Sequence, residues 1–177
     1  MTFAIPALDP IREITLLLRM PSKRSAGLLM FRLRNNDVEV LLVHPGGPYF
    51  QNKDDGAWTI PKGEAGDNED LLARAKIEFE EELGIAISGN WIELGSVKQK
   101  GGKTVHAWAF AGDLEDDFKP VSNTFEMEWP PRSGKMRQFP EVDRAGFFSL
   151  EEARRKINAA QTAFLDRLIE KLNIGET

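Results

Sequence analysis

Between Glu64 and Glu82 the sequence sets eight acidic residues against two bases, Arg74 and Lys76. A helix turns about 100° per residue, so with Glu78 at zero, Glu82 falls at about +40° and Glu81 at about −60°. Three carboxylates then share one face. Leu72, Ala75, Phe79 and Leu83 fall from about +60° to about +140°, an apolar face beside the acidic one. The arrangement is locally unfavourable: like charges at i, i+4 repel, and acids near a helix C-terminus oppose its dipole. A lone E-x-x-E-E is ordinarily a solvated helix face. Local rules are nevertheless broken where function demands it. A divalent cation reverses the sign of the problem, because clustered hard oxygens suit Mg²⁺ or Mn²⁺. Mg²⁺ keeps waters and binds through a few carboxylates together with substrate phosphates. The chemistry indicated is phosphate or pyrophosphate hydrolysis, with the metal as Lewis acid and activator of water.

The flanks of the cluster sharpen this. Gly63, Glu69, Glu78, Phe79, Glu81, Glu82, Gly84 and Ile85 stand in the register of G-x5-E-x7-R-E-U-x-E-E-x-G-U, where U is bulky and apolar. The run resembles the Nudix box, and the preceding Trp58-Thr59-Ile60-Pro61-Lys62-Gly63 is a lead-in typical of that family. One specified position departs: Ile77 stands where the family has an Arg that helps orient the acidic cluster. Arg74 projects at about −40°, on the acidic side, and is the available substitute. The resemblance runs from about Arg24 to Leu172. It implies an α/β fold, a Nudix-type α/β/α sandwich around a mixed sheet. It implies a Nudix hydrolase in which Glu78, Glu81 and Glu82 hold Mg²⁺ or Mn²⁺ and the backbone carbonyl of Gly63 completes the site. Water attacks a phosphorus of a small-molecule phosphoanhydride. The general base is a box glutamate (Glu81 or Glu82) or one from a later loop, here Glu141 just before the last strand. The loss of the box Arg keeps a second reading open: a catalytically weak Nudix-fold nucleotide-binding or regulatory domain.

Subfamily marks narrow the substrate. Isopentenyl diphosphate isomerase shares the fold but needs a cysteine, and the chain has none. The S-Q-P-W-P-x-P-x-S run of NADH pyrophosphatases is missing, and no proline lies between Ile85 and Lys119, where ADP-ribose pyrophosphatases usually carry one. Ala26-Gly27-Leu28-Leu29, the W-x-x-P-K-G at Trp58 to Gly63 and Lys103-Thr104-Val105 are similar to the bis(5′-nucleosyl) tetraphosphatase group. That resemblance implies cleavage of a nucleoside or dinucleoside polyphosphate. Ala107 falls where the group has a base-stacking Tyr, leaving Trp108 as the aromatic for that role. Lys62 abuts the box. Lys98, Lys100 and Lys103 form one basic cluster and Arg132, Lys135 and Arg137 another. Lys62, Lys100 and Lys103 are the candidates for substrate phosphates. Diphosphoinositol polyphosphates and an RNA 5′-triphosphate end are alternatives, the RNA end not favoured. His44 reads as a turn histidine in a Gly-Pro loop.

These residues need elements to position them. Ser25 to Arg34 and Val38 to His44 read as a hairpin turning at Asn35-Asn36-Asp37. Residues 44 to 55 read as a loop and Ala57 to Ile60 as a short strand. Asp67 or Asn68 is the expected cap of the acidic helix, with Glu69 and Asp70 in its first turn, ending at Leu83 before Gly84. Trp91 to Lys100 and Lys103 to Leu114 read as strands joined at Gly101-Gly102, the second alternating His106, Trp108 and Phe110 with Val105, Ala107 and Ala109. Residues 115 to 141, with four prolines, read as irregular, and Val142 to Phe148 as a last strand. Ser149 and Glu152 form a capping-box pattern for a final helix carrying Leu150, Ala153, Ile157, Phe164, Leu168 and Leu172 on one stripe.

The whole chain fits around this frame. Its 177 residues suit one domain, expected over 20–177, with 1–19 as an N-terminal extension and Met20 as an alternative start. A short surface helix is the other reading of that extension. The formal charge of −5 excludes a whole-protein basic field for nucleic acid. The absence of cysteine excludes disulfides and thiolate chemistry and suits a cytoplasmic setting. Asp9, Arg12 and Glu13 break any signal-like segment, and no apolar run is long enough to cross a membrane.

Overall fold

Asn35 and Asn36 both adopt left-handed backbone, with φ of 53° and 70°. That is the conformation a two-residue turn needs to match the twist of its strands, and Asn tolerates it. They join β1 (Arg24–Arg34) to β2 (Asp37–Pro45), antiparallel, with Arg34 opposite Asp37 and Phe31 opposite Val40. The computed structural model describes residues 23–173, so the expected extension 1–19 and Met20 lie outside the described residues.

Four further strands complete the main sheet: β3 (Lys62–Ala65), β4 (Ile92–Lys98), β5 (Thr104–Ala111) and β8 (Val142–Ser149). Their order is β4-β5-β1-β2-β8, with β3 paired to the start of β1. β1 and β5 are parallel and the other pairings antiparallel, so the sheet is mixed. Alternation sends the two sides of β1 into two cores. Ala26, Leu28 and Met30 pack with Phe79, Leu83 and Phe110 beneath α1 (Leu71–Leu83). Leu29 and Phe31 pack with Val40, Leu42, Ala107 and Phe164 beneath α2 (Leu150–Lys156) and α3 (Thr162–Lys171). The architecture is therefore the expected α/β/α sandwich.

β3 lies beside the same edge of β1 that β2 uses further along, so β1 must leave β2 to receive it. Gly27 sits at that fork, opposite Lys62. A Cβ there would lie 2.5 Å from the Pro61 carbonyl oxygen and 2.7 Å from Lys62 Cβ. Only glycine lets the two backbones approach this closely.

Several elements differ from the sequence expectation. The short strand at Ala57 to Ile60 is reduced to single bridges, Thr59 with Val43 and Trp58 with Ile157, and the true strand is Lys62–Ala65. α1 starts at Leu71, later than expected, because Asp70 is the cap and accepts from Ala73 N–H at 2.7 Å. Residues 66–69 instead close a turn in which the Glu69 carboxylate accepts from Gly66 N–H, while Arg24 binds the carbonyls of Gly66 and Asp67. Residues 115–141 are not wholly irregular: β6 (Thr124–Glu128) and β7 (Met136–Pro140) form a separate two-stranded ribbon. The final helix is split. Ser149 caps α2 through Glu152 N–H as expected. Ile157 then turns extended, Asn158 N–H donates to the Trp58 carbonyl at 2.7 Å, and a 3-10 turn (Ala159–Gln161) leads into α3. None of the described helices is long and apolar enough to cross a membrane.

Candidate active site

Gly63 and the acidic face of α1 meet directly. A Cβ at residue 63 would lie 1.9 Å from the Glu78 carboxyl group, so the strand backbone and that carboxylate occupy adjoining space. Next to it, Lys62 N–H donates to Glu82 Oε2 at 3.2 Å. The fork at Gly27 brings β3 against α1, and the apolar side of the helix (Ala75, Phe79, Leu83, all buried) fixes its rotation. The three box glutamates differ in exposure: Glu78 and Glu82 are half-buried and Glu81 is exposed.

Burial without full compensation perturbs the cluster. Burial, then repulsion from Glu78 and Glu141, pushes Glu82 up to about 8, against the attraction of Lys62. Glu78 is also raised, by burial first and then by Glu81, with Glu141 adding to it and Arg74 opposing. Burial in turn lowers the Lys62 ammonium. Glu141, exposed between β7 and β8, adds its negative charge to the field that raises Glu78 and Glu82. Its backbone is pinned on both sides, N–H donating to Asn123 and C=O accepting from Gly46, each at 2.9 Å.

Arg74 takes the place near the cluster that its helical angle indicates. Its Nε donates to Glu69 Oε1 at 2.7 Å and a terminal nitrogen lies 3.4 Å from Glu78 Oε1. Glu69 is held low by Arg74 first and by Gly66 N–H second. Ile77, by contrast, is 42% exposed.

The basic residues gather less completely. Lys103 pairs with Glu64 at 2.8 Å, and Lys62 and Lys23 add to the field that lowers Glu64. Lys100 is exposed on the turn between β4 and β5, at the same end of the sheet. Trp108 is half-buried on β5 opposite Leu28, packed against the α1-side core. Arg132 and Lys135 lie exposed in the ribbon's connecting loop, and Arg137 is on β7.

Two residues of this region escape sequence reasoning. His44 is not a turn residue but a buried strand residue, bonded to Asp143 and to the Lys53 carbonyl. No local signal announces that pairing, since it depends on how β2 meets β8.

Among the described residues no three acidic or histidine side chains are already gathered in metal-ligand geometry. Glu82 is turned to Lys62 N–H and Glu78 toward Arg74. The donor set nevertheless fits a hard divalent cation. It offers repelling carboxylates, raised by burial, beside a glycine backbone with room for nothing larger.

Comparison with known proteins identifies the family and the fold. The family model of the NUDIX domain matches residues 22–168. No curated protein matches the chain. Among solved structures, a C. elegans Ap4A hydrolase binary complex is similar over 86% of this chain and 99% of that one, with 22% identity and a TM-score of 0.61. The NUDIX domain of Shewanella oneidensis NrtR complexed with ADP ribose is similar over 93% and 99%, with 11% identity and a TM-score of 0.59. A mutT/nudix family protein from Listeria innocua is similar over 88% and 97%, with 16% identity and a TM-score of 0.58. These identities speak for the fold, and the family model, which spans most of the chain, speaks for the family. The chain belongs to the Nudix family of hydrolases.

Proposed function

We propose that the chain is a Mg²⁺- or Mn²⁺-dependent pyrophosphohydrolase that cleaves nucleoside polyphosphates, dinucleoside polyphosphates by preference. The observation that carries the reading is the meeting of Glu78 and Glu82 with the β3 backbone at Lys62 and Gly63, both carboxyls raised by burial and by neighbouring charges that include Glu141. In this reading Glu78, Glu81, Glu82 and the Gly63 carbonyl hold the metal, which when bound supplies charge neutralisation and Lewis acidity. Glu141 takes the proton of the attacking water; Glu81 and Glu82 are the alternative bases. Lys62, Lys100 and Lys103 bind the phosphate chain, and Trp108 stacks on the nucleobase. The preference for dinucleoside polyphosphates rests on the motif resemblance and agrees with the fold of the C. elegans Ap4A hydrolase.

A panel of nucleoside diphosphate derivatives, diadenosine tetraphosphate, diphosphoinositol polyphosphates and 5′-triphosphorylated RNA tests this, with Mg²⁺ and Mn²⁺ and with released phosphate and mononucleotides as readouts. Turnover of diadenosine tetraphosphate, lost in Glu82→Gln, is the expected result. An inert diadenosine tetraphosphate refutes the substrate preference. Ile77 favours the second reading, a nucleotide-binding domain. Ligand binding without turnover of any member of the panel would establish that one instead.

A further inference from the structure

The loop that follows β2 hangs on a histidine to which the proposed chemistry gives no part. His44 is fully buried, with Nδ1 2.7 Å from Asp143 Oδ1 and Nε2 2.8 Å from the Lys53 carbonyl oxygen. Its ring meets Trp58 edge to face, centroids 5.2 Å apart. Both polar partners are acceptors, so both ring nitrogens are placed to donate.

Opposite His44, β8 carries one residue too many. His44 pairs with Arg144 but Pro45 pairs with Val142, which leaves Asp143 as the extra residue of a β-bulge. Bulges bend a strand and re-aim side chains, and they recur beside active sites. Here the extra residue changes the alternation. Ala145 and Phe147 face the α1-side core, and unbroken pleating would put Val142 on the other face, with Phe148. Val142 instead joins Ala145 and Phe147. The residue before it is Glu141, whose carbonyl accepts from Gly46 N–H, two residues beyond His44.

We propose that His44 and Asp143 are positioning residues whose pairing fixes the bulge and so aims Glu141 at the box glutamates. The buried ring supplies a donor that reaches Asp143 only when the extra residue stands at 143. A slip of one residue would carry Val142 out of its core and Glu141 away from Gly46. The second bond, to Lys53, ties the 46–53 loop to the same point. The inference rests on Glu141 being the general base, and its test separates the two.

His44→Leu and Asp143→Ala are assayed in the full chain with Mg²⁺ and diadenosine tetraphosphate, each alone and in a Glu141→Gln background. Each single variant is expected to lower kcat about tenfold to a hundredfold with KM nearly unchanged, the cost of a misplaced group. His44→Asn, whose amide can stand in for Nδ1–H, is expected to recover most of the loss. In the Glu141→Gln background neither variant should lower kcat further. Unchanged kcat in folded single variants, or a full additional loss in that background, overturns the proposal. If His44→Leu does not fold, Asp143→Ala decides, since that side chain is partly exposed. Full activity of Glu141→Gln itself refutes the general-base reading and, with it, this inference.

Discussion

Arg74 is one helical turn before Glu78 and bonds both Glu69 and Glu78. The box position at 77 holds an isoleucine that is 42% exposed and has no such reach. In the proposed site Arg74 supplies the orienting charge from three residues before the box position, about 60° around the helix axis. Outer partners of a metal-binding carboxylate are worth about tenfold to a hundredfold in activity when removed. Arg74→Ala is accordingly expected to lower kcat by about that factor. The double exchange Arg74→Ile with Ile77→Arg should return most of it, and steady-state kinetics on the three proteins check this. An exchange as inactive as Arg74→Ala would mean that only position 74 can hold Glu69. At this scale the acidic face of the helix and the place of Arg74 beside it were readable in advance, because a helix has one geometry and its angles need no tertiary information. His44 and Asp143 were not readable, because their contact depends on one extra residue in a strand pairing between distant segments.

The element that most needs its sequence is β3. Its docking depends on Gly27, where a Cβ would meet backbone and Cβ atoms of Pro61 and Lys62 that cannot rotate away. Gly27→Ala should destabilise the fold by about 1–3 kcal/mol, the usual cost of overpacking. It should also depress activity beyond what stability explains, because Lys62 and Gly63 move with β3. Thermal unfolding and kcat measured on the same preparation separate the two effects. β3 was illegible as a strand because Lys62-Gly63-Glu64-Ala65 has little β-propensity, so that its pairing is imposed by the fork. The ribbon was hidden by its prolines, which stand at or beyond the ends of β6 and β7, positions where a missing donor costs little. The split of the last helix was hidden too: the apolar stripe runs on through Ile157, but Trp58 claims the backbone there. The first hairpin, β4 and β5 and the α1 C-terminus were legible because turn residues and alternation agree with their tertiary setting.

For the molecule as a whole, the charge of −5 is not spread evenly. Residues Glu64 to Glu82 alone carry −6, and everything else sums to +1. Part of that charge is held back: Glu82 keeps its proton up to about pH 8, against an ordinary value of 4.5. The sign of the consequence follows. Below about pH 4.5 both folded and unfolded chains are protonated at Glu82 and it contributes nothing. Between 4.5 and about 8 the unfolded chain ionises first, so folding stability falls as pH rises, and above about 8 the penalty is complete. A cation held by Glu82, as the proposed site requires, would cancel the penalty. Mg²⁺ should therefore raise the unfolding temperature more at pH 9 than at pH 6, and chelation should remove that difference, as differential scanning calorimetry in the two buffers would record. An equal shift at both pH values would exclude Glu82 from the binding site.

The β6–β7 ribbon has a consequence of another kind. It leaves the body at Asn123 and returns at Glu141, and those two residues are joined by a hydrogen bond of 2.9 Å. Its strands pair with each other and not with the sheet. A segment whose ends already touch can be lengthened or cut back at small entropic cost and without shifting any sheet register. The protein therefore carries an exchangeable cassette beside its proposed base, where a new substrate reach could be grafted while the sandwich beneath is left as it stands.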